Sequence, residues 1–154
     1  MLIAVRRGLT NYVRALTHSP LQFGIGVMAF WFASNGPAAY LLYPAMFSDP
    51  APFTAIVFGF VPVTINLCHM LRNLITGIVG MVAVCRYSWT RIYAVLGGTY
   101  YIVWGLVGLL GGDHVRHHLG VDIFGTWVHV IEGSILLALW ARDRVYTRRT
   151  AVAA

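Results

Sequence analysis

The feature that most constrains this chain is a set of hydrophilic residues at helical spacing inside otherwise apolar sequence. Asn66, His69, Arg72 and Asn73 interrupt one long apolar segment, and Asp122, His129 and Glu132 interrupt another. Steps of three and four residues return to the same side of a helix, so each set shares one face. Ionisable groups within a bilayer are rare and costly, and they usually face a bundle interior where they pair or act.

The surrounding sequence is of membrane grade. Hydrophobic residues make up 58% of the 154 residues and charged residues 10%, against about 25% charged in a soluble domain. Mean hydropathy is +0.71. Such a chain cannot cover a water-facing surface, and it reads as an integral membrane protein. Its basic balance is entirely arginine, eleven against five acids. The arginines stand at segment ends, a topogenic pattern, and offer no polar reading surface for nucleic acid. Cys68 and Cys85 fall in one predicted helix, roughly 25 Å apart at about 1.5 Å per residue, beyond disulfide reach. They read as small buried apolar residues. Residues 1 to 20 interleave arginine with apolar residues and lack the h-region of a signal peptide, so the first span is expected to stay as an anchor.

Residues 2 to 17 place Leu2, Val5, Leu9, Tyr12, Val13 and Leu16 at helical spacing with Arg6, Arg7 and Arg14 on other sides. That pattern fits either a short interfacial helix drawn to anionic headgroups or a frayed basic tail. Ser19-Pro20 suits a cap and first turn. Four spans are expected: residues 20 to 35, ended or kinked by Gly36-Pro37, then 63 to 85, 93 to 110 and 124 to 141. Residues 37 to 62 form an apolar connection against the outer leaflet, or helix extensions. Tyr87, Trp89, Arg91 and Tyr93 form an interfacial turn between the second and third spans. The chain thus divides into a cytoplasmic interfacial segment (1–19), a four-span membrane domain (20–141) and a cytoplasmic basic tail (142–154). Arg6, Arg7, Arg14, Arg86, Arg91, Arg142, Arg144, Arg148 and Arg149 then share one side, with Arg116 on the other. The positive-inside rule gives N-in and C-in in a plasma (inner) membrane.

A shift of seventy-two residues aligns Gly26, Ala33 and Gly36 with Gly98, Gly105 and Gly108, and the following spans align His69 with His129. The expected fold is therefore all-α: a four-helix transmembrane bundle built from two tandem helical hairpins in parallel repeat. The pattern Asn66-x-x-His69-x-x-x-Asn73-x-x-x-Gly77-x-x-Gly80, then Gly97-Gly98-x-x-Tyr101-x-x-x-Gly105-x-x-Gly108, then Asp122 and His129-x-x-x-Gly133 resembles a family of small actinobacterial membrane proteins, domain of unknown function 4383. The resemblance covers roughly residues 20 to 141. It implies a four-span bundle and no particular activity. Arg72 between His69 and Asn73, and the long outer connection, depart from that pattern.

For His69 and His129 the plain reading is interhelical hydrogen bonding, and the sharper one is a pair of axial ligands to haem b. Arg72 and Glu132 read as a buried ion pair. A proton or cation conduit through His129 and Glu132 is a further alternative. Outside the membrane, Asp113, His114, Arg116, His117 and His118 form a loop, and its histidines are candidate ligands for a divalent metal. Gly77, Gly80, Gly98, Gly105, Gly108 and Gly133 are expected to let helices approach closely. No nucleotide loop and no nucleophile arrangement is present. The leading expectation is a non-enzymatic structural or accessory protein that contacts the lipid bilayer and either itself or a membrane partner.

Overall fold

The computed structural model describes residues 2–49, 51–57 and 59–152. Its elements in chain order are α1 (Leu2–Leu16), α2 (Pro20–Leu42), a 3-10 turn (Pro44–Phe47), β1 (Phe53–Val57), β2 (Val61–Ile65), α3 (Leu67–Ala83), α4 (Tyr87–Leu110), α5 (Gly112–Leu119) and α6 (Ile123–Val152). The fold is predominantly helical, with one antiparallel hairpin that pairs Phe53 with Ile65 and Val57 with Val61.

The caps explain where the helices start. Ser19 accepts from the Gln22 backbone N–H, with Pro20 in the first turn. Asn66 does the same for the His69 N–H at 2.9 Å, meeting one of the donors a helix start leaves unpaired. That cap corrects the expected second span, which is 17 residues long rather than reaching back to Val63. Residues 61 to 65 are instead a strand, rich in the β-branched residues that suit a pleated surface. Other boundaries also move. α2 continues through Gly36-Pro37 to Leu42, α4 begins at Tyr87 so that the expected interfacial turn is helical, and α6 runs on through the supposed tail. The division at residue 141 is therefore not a structural boundary.

Among the described residues, three helices are long and apolar enough to cross a membrane: α2, α4 and the Ile123–Arg149 part of α6. α3 is apolar but shorter. The surface agrees with a lipid setting, since Phe30, Ile75, Leu96 and Ile131 are all more than half exposed while Asn73, His129 and Glu132 are buried. That inversion of the water-soluble pattern leaves far more exposed apolar surface than a soluble monomer carries. Cys68 and Cys85 are likewise exposed rather than buried.

The main core joins Ile25 and Phe32 of α2, Val84 at the end of α3, Ala94 and Tyr101 of α4, and Leu136 of α6. Phe32 stacks on Tyr101 at 4.3 Å between ring centroids. A smaller outer core holds Ala39, Ile65 and Met70. α2 packs chiefly on α3, and α4 on α6. The six glycines named above lie at these approaches. A Cβ on Gly77 would meet the Ala33 nitrogen and Ala29 carbonyl, and one on Gly133 would meet the Gly98 carbonyl. Small residues are thus required where backbones touch. At the N-terminus, Tyr12 and Leu16 seat α1 on the core. Burial, reinforced by Cys85, pushes the Tyr12 phenol above its ordinary value.

Candidate functional site

The hydrophilic residues separate into an outer pair of helix caps and an inner network. At the outer end, Asn66 caps α3 and its amide donates to the His118 carbonyl at 3.3 Å. The His69 Nδ1 meets the Gly120 carbonyl at 2.8 Å, so it carries the proton and donates. Gly120 has φ +66°, a left-handed conformation that L side chains rarely adopt. A side chain there would also strike Asn66. Asp122 does not join the inner network. Its carboxylate accepts from the Gly125 N–H at 2.6 Å and the Thr64 hydroxyl at 2.6 Å, which makes it the α6 cap and a tie to β2.

The inner network corrects the expected Arg72–Glu132 ion pair. The two charges do not meet; His129 stands between them. Arg72 Nη2 lies 3.1 Å from His129 Nε2 and 2.8 Å from Asn73 Oδ1. A guanidinium only donates, so Nε2 accepts and the imidazole proton sits on Nδ1. From there it donates to Glu132 Oε2 at 2.8 Å. The other Glu132 oxygen accepts from the Trp31 indole at 2.7 Å. The result is a relay from Arg72 on α3 through His129 to Glu132 on α6, with Trp31 tying it to α2. Tyr101 extends the network: its hydroxyl lies 2.7 Å from that of Thr76 and 3.2 Å from Asn73 Oδ1.

Trp31, Thr76, Tyr101 and Trp104 were not among the residues the spacing of charged groups singled out. Trp31 carried no signal, since it stood near the end of the expected 20–35 span, where tryptophan is common. Tyr101 stood only in the quoted glycine pattern, with no role assigned, and Thr76 looks in sequence like an ordinary residue of an apolar helix. Trp104 lies under the guanidinium, with Arg72 Cζ 4.2 Å from its ring centroid.

A haem does not fit between His69 and His129. Their rings are in edge contact at 5.0 Å between centroids, leaving no slot for a macrocycle. Both His129 nitrogens and Nδ1 of His69 are already engaged. The supposed outer loop is the helix α5, where His114 and His118 approach to 4.5 Å between ring centroids. His118 Nδ1 is engaged by the His114 carbonyl, and Asp113 pairs with Arg116. No group of three metal-ligating side chains is gathered among the described residues.

No protein-family model matches the chain, and neither does any curated protein or solved structure. The resemblance drawn from the sequence therefore rests on its quoted residues alone.

Proposed function

We propose that this protein is a four-span membrane protein of a bacterial plasma membrane, with both termini cytoplasmic. We further propose that it serves as a non-enzymatic structural or accessory subunit. The observation that carries this reading is the way the His129 relay ties helices to one another. Both His129 nitrogens and both Glu132 oxygens are engaged within it, and these bonds join α2, α3 and α6. The α2–α3 and α4–α6 pairings, each with glycine-mediated contact, support the view of two parallel hairpin repeats. α3 has 17 residues, at the lower end of the roughly 17–25 that can span.

The docking surface is the outer apolar region. Tyr40, Leu41, Leu42, Phe47, Ile56 and Phe60 are all exposed there, on the end of α2, the 3-10 turn and the hairpin. Protein extracted in mild detergent is expected to co-purify with itself or a defined membrane partner, and charged substitutions at Leu41 and Phe60 to release it. Monomeric behaviour in both mild detergent and native nanodiscs would overturn the reading.

A further inference from the structure

A second feature lies outside that network. An apolar groove of about 650 Å³ opens between α3 and α4, lined among others by Ile75, Val79, Val82, Ile92, Leu96 and Gly97. Its volume is within the roughly 300–1,000 Å³ range of small-molecule sites, which characteristically join an apolar lining to a few polar groups. The polar groups stand one helical turn outward. Arg72 precedes Thr76, Val79 and Ala83 at steps of four, three and four on α3. Trp104 follows Tyr93, Gly97 and Tyr100 on α4 in the same way. Thr76, Val79, Ala83, Tyr93, Gly97 and Tyr100 all line the groove, so Arg72 and Trp104 lie on the same two helix faces, one turn beyond its lining.

Beyond the end of the groove, where Arg72 Cζ lies 4.2 Å from the Trp104 ring centroid, three buried donor atoms have no hydrogen-bond partner among the described residues: Arg72 Nε, Arg72 Nη1 and Trp104 Nε1. Arg72 itself is only 9% exposed. Guanidinium and indole have no acceptor capacity, so the partner they lack is an acceptor. A water could take two of these bonds but would leave its own hydrogens without acceptors among these groups. Charge narrows the class further. The guanidinium already has its counter-charge in Glu132 through His129, and a second anion would leave an uncompensated charge in lipid. A neutral carbonyl oxygen meets both conditions.

We propose that the α3–α4 groove binds a lipid-soluble carbonyl compound of the quinone class. Its carbonyl oxygen accepts from Arg72 and Trp104, and its apolar chain runs inward along α3 for about 16 Å, the rise from Arg72 to Ala83. All three donor atoms are closed off from the surface. Tyr100, 39% exposed with its ring 6.0 Å from that of Trp104, is the side chain whose rotation admits the head. This proposal does not depend on the accessory role, and its readout is independent of oligomeric state.

The test uses the full chain in nanodiscs, with Cys85→Ala leaving Cys68 as the one thiol. Cys68 is exposed and lies one turn outward of Arg72. Decylubiquinone should slow its modification by N-ethylmaleimide saturably, and dodecane should not. Trp104→Phe keeps the ring and removes one donor, so it should weaken protection about threefold to tenfold, the range of one neutral hydrogen bond. Gly97→Val narrows the groove and should weaken it at least tenfold. Thermal unfolding checks that both variants fold. Protection that is absent, matched by lauric acid, or unchanged in both variants overturns the proposal.

Discussion

An arginine inside a bilayer keeps its proton, so the imidazole facing Arg72 can only accept at Nε2. That one constraint sets the role of every neighbour of His129. Removing the imidazole leaves a guanidinium and a carboxylate buried without their shared partner, the costly case for buried charge. His129→Ala is expected to cost about 3–5 kcal/mol by that standard. Trp31→Phe removes one donor from Glu132 and is expected to cost about 1–3 kcal/mol. Thermal unfolding in detergent should rank them in that order; equal losses would show that His129 does not bridge the charges. Removing both charges together, Arg72→Met with Glu132→Leu, should destabilise less than either single change, since no ion is then stranded. Asn66, His69, Arg72, Asn73, His129 and Glu132 are buried, on the faces that helical spacing gives them. The bridge was not legible in that spacing, because helical period gives a shared face but not which of three polar side chains on it lies between the other two. Asp122 was misassigned for a related reason: a carboxylate just before an apolar run serves a helix cap as readily as a polar interior.

Among the elements, α3 is the most tightly specified. Its start is fixed by Asn66, its packing on α2 by Gly77, and its inner end by Gln22, whose amide donates to the Val84 carbonyl at 2.8 Å. Gly77→Leu drives a side chain into the α2 backbone and is expected to cost more than the roughly 1–3 kcal/mol of ordinary overpacking. Gly97→Ala is expected to be nearly neutral, because the added carbon meets Tyr93 and Leu136 only at 3.5–3.6 Å. Comparable unfolding temperatures for the two would refute close α2–α3 contact. The sequence located α2, α4 and α6 through apolar length and arginine boundaries. It missed β1 and β2 because a short apolar run reads equally as strand or buried helix. Pro37 suggested a helix end, yet a proline removes only one backbone donor, and the packing of Ala39 in the outer core holds the helix on to Leu42.

For the whole molecule, topology is the property most open to a direct check. A phosphatase fused after Val152 should be inactive, and one inserted near His114 should be active outside the cytoplasm; the reverse pattern would invert the orientation. The network also bears on how such a chain is made. α3 packs on α2, which precedes it, but leaves the ribosome well before two groups its polar side chains bond: Arg72 meets His129 and His69 meets Gly120. Until α6 has emerged, a charged side chain on a helix barely long enough to cross has no counterpart from that helix. Membrane insertion of the third helix should therefore be provisional, and truncation before Ile123 should leave it sensitive to quality-control proteolysis.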